Sequence, residues 1–167
     1  MAASWKKTAR KKSVKGPDTS WHVHDRFGMF IHWGLYAAAA RQEWVKKNER
    51  MTNEEYQKYF DHFDPDLYDP RQWARAAKQA GMKYFVITTK HHDGFCLWDS
   101  QLTDYNVTHT PYGKDVLTPM AEAFREEGLR VCFYHSLIDW HHPEYTIDQM
   151  HPLCGHATEK QLPKRDM

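Results

Sequence analysis

The most regular alternation of apolar and polar positions begins at Thr52. Thr52 and Glu55 have the spacing of a capping box, and Tyr56, Tyr59, Phe60 and Phe63 follow at i, i+3, i+4 and i+7, which predicts a helix with an aromatic face. Pro65 and Pro70 end that run, and Asp69 then reads as the N-cap of a second helix with Pro70 in its first position. This helix is expected to present Trp73, Ala76, Ala77 and Ala80 on one face and to stop at Gly81. Directly after it, Tyr84 to Thr89 is a β-branched and aromatic run that reads as a strand. The unit then returns: Leu117, Met120, Ala121 and Phe124 line a helix carrying Pro119 in its first turn, Gly128 stops it, and Leu129 to Tyr134 forms a strand. Ahead of both units, Phe27 to His32 reads as a short buried strand followed by Gly34.

Two helix-glycine-strand units behind an opening strand imply parallel strands joined by right-handed crossovers, so the fold class is α/β. An eight-stranded barrel takes roughly 250 residues. A chain of 167 residues therefore predicts a partial (β/α)8 TIM-like barrel, about three of eight βα units. No periodic segment follows residue 136, and a long loop or tail is expected there. Residues 1–20 carry Lys6, Lys7, Arg10, Lys11, Lys12 and Lys15 with no acid before Asp18, and read as a flexible basic arm.

Composition narrows the function classes. The 41% hydrophobic and 14% aromatic content suffices for a packed core. A mean hydropathy of -0.85 with no long apolar run excludes a transmembrane helix, so no membrane partner is expected. Twenty-three basic against 22 acidic residues leave a net charge of +1, which gives nucleic acid nothing to follow. Cys96, Cys132 and Cys154 are widely spaced and form neither a disulfide framework nor a zinc ribbon. The basic N-terminus lacks an apolar stretch behind it, and a cytoplasmic location is the expectation.

The polar residues gather at the strand ends. His32 follows the first strand, Lys90-His91-His92-Asp93-Gly94 the second, and His135 to Trp140 the third. In parallel α/β folds those carboxyl ends make the functional face, so one site is expected. His32 alone would more often be a structural hydrogen-bonder than a functional group. The pair His91-His92 is costly to bury unless each nitrogen finds a partner. Trp44 beside Glu43 suits a sugar, with an apolar face for stacking and an acceptor for hydroxyls, and suits a core anchor as well. Although there are 12 histidines, neighbours such as His91 and His92 point to opposite sides of an extended backbone. His22-Val23-His24 has ligand spacing but precedes the first strand. No metal site and no cofactor are expected. Glycine-rich phosphate loops and the Gly-x-Ser-x-Gly elbow are missing from the sequence.

Taken together, Phe27 to Gly34, Glu43-Trp44, Ala80 to Tyr84, Thr89 to Trp98, Thr103 to Asn106 and Asp139-Trp140 closely resemble the N-terminal part of the α-L-fucosidase family, glycoside hydrolase family 29. The resemblance runs from about Trp21 onward, in order and at compatible spacing. It implies a (β/α)8-like barrel that removes terminal α-L-fucose from glycoconjugates with retention of configuration. It further implies that His32, Glu43, Trp44, His91, His92 and Tyr134 occupy fucose-binding positions. Residues 21–167 would then be the N-terminal portion of a glycosidase barrel, truncated at its C-terminal end.

Retaining glycosidases need a carboxylate nucleophile and a second carboxyl as acid/base. In the family the nucleophilic Asp follows the fourth strand in a Trp-x-Asp-like motif, and no such motif precedes Met167. No catalytic residue is therefore expected within this chain; were it active alone, Asp93, Asp99, Asp139 and Glu144 would be the candidates. Three strands of a closed barrel leave sheet edges open and Val86, Ile87, Val131 and Phe133 without a full set of neighbours. The expectation is marginal stability, with association to itself or to a complementing C-terminal fragment. The alternative function is that of a non-catalytic fragment, a weak fucose binder or an interaction module.

Overall fold

The structure, a computed structural model, describes residue 16 and residues 18–155. Most of the basic arm and the last residues of the expected tail lie outside the described residues. The elements run α1 (Ser20–His24), β1 (Gly28–Ile31), α2 (Tyr36–Ala39), α3 (Val45–Asn48), α4 (Asn53–Asp61), α5 (Pro70–Gln79), β2 (Tyr84–Lys90), a 3-10 turn (Val107–His109), α6 (Leu117–Glu126) and β3 (Arg130–His135).

Local chemistry sets the long helices. The Thr52 hydroxyl accepts from the Glu55 N–H at 3.2 Å while Glu55 Oε2 accepts from the Thr52 N–H at 2.9 Å, closing the capping box at the start of α4. Asp69 Oδ1 accepts from the Gln72 N–H at 2.9 Å, with Pro70 in the first turn of α5. Gly81 (φ 83°) and Gly128 (φ 72°) turn the chain out of α5 and α6 in left-handed conformations.

The three strands form one parallel sheet in the order β1-β2-β3. Gly28 pairs with Tyr84 and Ile31 with Ile87, while Tyr84 pairs with Arg130 and Thr88 with Tyr134 before an irregularity brings Lys90 beside His135. Period-two alternation sends Phe85 and Ile87 to the side of the sheet covered by helices, where Phe85 stacks on Phe124 of α6 with ring centroids 3.8 Å apart. Met120 and Phe124 of α6, with Ala74 and Ala77 of α5, complete that buried layer.

The expected apolar face of α5 is corrected at this point. Ala74 and Ala77 are buried and Trp73 is half-buried, but Ala76 and Ala80 are exposed. Alanine is small enough to sit on either face of a helix, so its spacing misplaced the stripe. The ring of Trp73 instead joins a cluster with Trp33 and Tyr68. Ile87 is likewise fully buried within the core cluster and does not lack neighbours.

The other face of the sheet is open. Phe30 is 54% exposed there, and Val86, Cys132 and Tyr134 are only half-buried. On the helix side, Phe133 of β3 is 52% exposed beside an apolar groove of about 290 Å³ lined by Thr89, Trp98, Leu117, Phe133 and His135. At the starts of β2 and β3, Trp21 of α1 packs edge-on to Tyr84 and lies 4.4 Å under the Arg130 guanidinium. His22 and His24 thus sit on a helix at the opposite end from the strand-end loops, where an i, i+2 pair diverges. No helix among the described residues is long and apolar enough to cross a membrane.

Candidate functional site

The carboxyl ends of β1, β2 and β3 and the loop before α3 meet in one place. His32 is the first residue past β1, and its ring lies 5.0 Å from that of His91, centroid to centroid. His91 is 4.2 Å from His92 and 6.2 Å from Tyr134, and Tyr134 is 6.3 Å from His32. Trp44, which caps α3, sets its ring perpendicular to His92 at 5.3 Å and edge-on to Trp140 at 5.6 Å. Glu43 stands next to it, half-buried, and its negative charge acts on His92 and Tyr36. The structure therefore brings His32, Trp44, His91, His92 and Tyr134 together directly, with Glu43 near enough to be felt.

One expectation about the pair fails. His91 and His92 do not point to opposite sides, because the extended backbone ends at Lys90 and both sit in the turn beyond it, where the rings tilt toward each other at 36°. Even so, no group of three His, Cys, Asp or Glu side chains among the described residues is arranged to hold a metal ion.

Each imidazole is held differently. The Tyr36 hydroxyl is 2.8 Å from His32 Nδ1, reaching back from the first turn of α2. Ser136 Oγ is 2.6 Å from His92 Nδ1. His91 is buried and its Nδ1 has no hydrogen-bond partner among the described residues. Burial, with the neighbouring rings of His92 and His32, pushes the His91 imidazole down to about 3, so it is neutral at pH 7. Burial lowers His92 too, aided by His32 and Lys90 and opposed by Glu43. The site thus presents imidazole rings, a carboxylate, a phenol and an indole: hydrogen-bonding groups around an apolar wall.

Beneath this surface lies a polar layer that sequence reasoning missed. Lys46 of α3 is 1% exposed, donates to Asn53 Oδ1 at 2.8 Å and lies over the Tyr56 ring. The Tyr56 hydroxyl donates to Asp93 Oδ2 at 3.0 Å, and the Phe95 N–H donates to Asp93 Oδ1 at 3.2 Å. Burial raises the Asp93 carboxyl, opposed by the Lys46 charge, and lowers the Lys46 amine to about 8. Lys46 and Asp93 attract each other and so tie the Glu43-Trp44 segment to the His91-His92 turn. A lysine in a short charged stretch carries no sign of burial, so only the aromatic run of α4 could have hinted at it.

A second tie joins the loops after β2 and β3. Lys90 Nζ donates to Asp139 Oδ2 at 3.0 Å, while Asp139 Oδ1 accepts from the backbone N–H groups of His141 and His142. The Trp140 N–H donates to the His92 carbonyl at 2.7 Å. Gly94 passes so close to Asp139 and His141 that no side chain fits.

Comparison with known proteins gives the same assignment as the motifs. The α-L-fucosidase family model matches residues 2–161. The α-L-fucosidase of Dictyostelium discoideum is 32% identical over 155 residues, 79% of this chain and 34% of that protein. The tissue α-L-fucosidase of Mus musculus is 33% identical over 150 residues, 80% of this chain and 33% of that protein. Among solved structures, α-L-fucosidase isoenzyme 1 from Paenibacillus thiaminolyticus superposes with a TM-score of 0.84 at 59% identity, covering 87% of this chain and 35% of the other. A family 29 α-L-fucosidase from Bacteroides thetaiotaomicron gives 0.74 at 37% identity, covering 90% and 37%. The chain spans about a third of the length of the curated relatives it matches. With the family model matching from residue 2 to residue 161, this chain belongs to the α-L-fucosidase family.

Proposed function

We propose that this chain supplies the fucose-binding side of a retaining α-L-fucosidase site, acting on terminal α-L-fucose of glycoconjugates. The observation that carries the reading is the convergence of His32, His91, His92 and Tyr134 beside Glu43 and Trp44 at the carboxyl ends of parallel strands. A 6-deoxy sugar offers hydroxyls on one side and an apolar edge with a methyl group on the other. The imidazoles, Glu43 and the Tyr134 phenol serve the hydroxyls, and the Trp44 ring faces the apolar edge.

The chemistry of retention needs two carboxyl groups about 5–5.5 Å apart, one attacking the anomeric carbon and one protonating the leaving oxygen. Asp93 is sealed beneath the site on the Tyr56 hydroxyl, and Asp139 is committed to Lys90 and two backbone N–H groups. Neither is free to attack, and Glu43 is read as a hydroxyl acceptor. In this reading both catalytic carboxyls come from other strands of a (β/α)8-like barrel, to which the three strands here contribute. The open face around Phe30 and the groove beside Phe133 support it, because further strands and a further helix would cover them.

The test is binding followed by turnover. Titration of the chain with L-fucose should shift the imidazole resonances of His32, His91 and His92, with D-glucose silent, and Trp44→Ala should weaken binding by about tenfold or more. Hydrolysis of a chromogenic α-L-fucoside should require the remainder of the barrel. No response to L-fucose would remove the binding assignment, and hydrolysis by these residues alone would place the nucleophile among them.

A further inference from the structure

We infer that Ser136 is a positioning residue that locks His92 in its Nδ1–H tautomer, so that Nε2 meets the sugar as a hydrogen-bond acceptor. The inference rests on the proposed fucose-binding role of His92 and adds which way the proton on that hydrogen bond runs.

A serine hydroxyl has one proton to give. Ser136 is buried, and it donates to the Ile138 carbonyl at 3.0 Å, an oxygen that can only accept. At its 2.6 Å contact with His92 Nδ1 the Ser136 oxygen must therefore be the acceptor, and Nδ1 the donor. In a neutral imidazole the second nitrogen is then bare. The ring is kept neutral by burial and by the nearby His32 and Lys90. Nε2 has no partner among the described residues.

The ring is also held in place. The His92 carbonyl accepts from the Trp140 N–H at 2.7 Å, Trp44 stands perpendicular to the imidazole, and Trp140 packs beside it at 5.2 Å. Ser136 and Trp140 both lie in the loop after β3, so that loop orients the ring and sets its proton at once. The consequence is a selection rule: the group that His92 contacts must bring a hydrogen. A sugar hydroxyl does, whereas a fluorine or an O-methyl group in its place does not.

The contact at His32 does not settle its tautomer in the same way. The Tyr36 hydroxyl that meets His32 Nδ1 also has Thr88 as a side-chain partner, so its proton can go either way. Ser136 is distinguished because its own proton is already committed.

The experiment uses the chain with 15N-labelled histidine. Long-range proton–nitrogen spectra without sugar should show His92 with a protonated Nδ1 and an unprotonated Nε2. Ser136→Ala should move it toward the Nε2–H form and weaken L-fucose binding about three- to tenfold, and Ser136→Thr, which keeps the hydroxyl, should restore both. A wild-type His92 found as Nε2–H overturns the inference whatever the variants do, and so does a Ser136→Ala protein that is folded and still Nδ1–H. If the tautomer is as stated but L-fucose leaves the His92 resonances unmoved, the fucose-binding reading fails and the claim about Nε2 as its acceptor falls with it, while the Ser136–His92 proton assignment stands.

Discussion

His32 and His91 meet edge to face with ring centroids 5.0 Å apart, although they come from the ends of different strands. Burial of the rings in this region makes the fold sensitive to acid. The His91 imidazole is pushed down to about 3 and that of His141 to about 4, against an ordinary 6.5, chiefly by burial. The unfolded chain therefore takes up protons more readily than the folded one. The stability due to these rings is complete above pH 6.5 and is lost as pH falls toward 4 and then 3. Asp93, whose carboxyl is raised by burial, acts with the opposite sign in the acid range. The urea midpoint should fall between pH 6.5 and pH 4, and His91→Gln should flatten part of that slope. An unchanged slope in the variant would mean that His91 titrates freely.

Lys46 and Asp93 should fail separately and tolerate joint replacement. Both are buried, at 1% and 2% exposure, and burial works against the charge on each. Lys46→Met leaves the Asp93 carboxylate without its cation, at a cost of about 3–5 kcal/mol, while the double variant with Asp93→Asn should cost clearly less than the two single changes added together. A strictly additive double-mutant cycle, measured by denaturant unfolding, would show that the two groups do not couple.

How much of this was legible in the sequence depended on where the information is local. The capping box at Thr52 and Glu55, Asp69 with Pro70, and the glycines after α5 and α6 are encoded within a few residues, and the structure has each where the spacing put it. The strand ends bearing His32 and His91 could be gathered because parallel strands align their carboxyl termini, whereas Tyr134 entered only through the family resemblance and His135, grouped with them, packs instead beside Trp98 and Thr89. Partners contributed across the fold were not legible. Ser136 finds His92, Tyr56 finds Asp93, and Lys46 disappears under α4, through contacts set by packing and not by sequence spacing. The reading of His91 and His92 as opposed failed because a strand rule was carried one turn too far.

The two faces of the sheet should respond differently to truncation. Phe124 is fully buried and stacked on Phe85, so Phe124→Ala should cost about 3–5 kcal/mol. Phe30, at 54% exposure on the open face, should cost no more than about 0.5 kcal/mol when changed to Ala. If that face is where other strands pack, Phe30→Ala should also reduce self-association and dye binding by the isolated chain. Sedimentation of both proteins at matched concentration checks this. A Phe30→Ala loss as large as that of Phe124 would show that Phe30 already has its full set of contacts.

Gly94 and Gly81 share a left-handed backbone, with φ of 85° and 83°, and should nonetheless tolerate alanine very differently. A side chain at Gly81 meets nothing within 4 Å, so Gly81→Ala should cost only the conformational strain, about 1–2 kcal/mol. At Gly94 a methyl group would collide with the Asp139 carboxylate and lie 2.8 Å from His141 Cβ. Asp139 cannot retreat without releasing Lys90 and the two N–H groups it holds, and those contacts carry the loop that brings Ser136 and Trp140 to His92. Gly94→Ala should therefore lose more stability than Gly81→Ala and also disturb the His92 imidazole resonances, which Gly81→Ala should leave in place. Equal losses in the two variants, with His92 unmoved in both, would show that the Lys90–Asp139 tie does not govern the position of that ring.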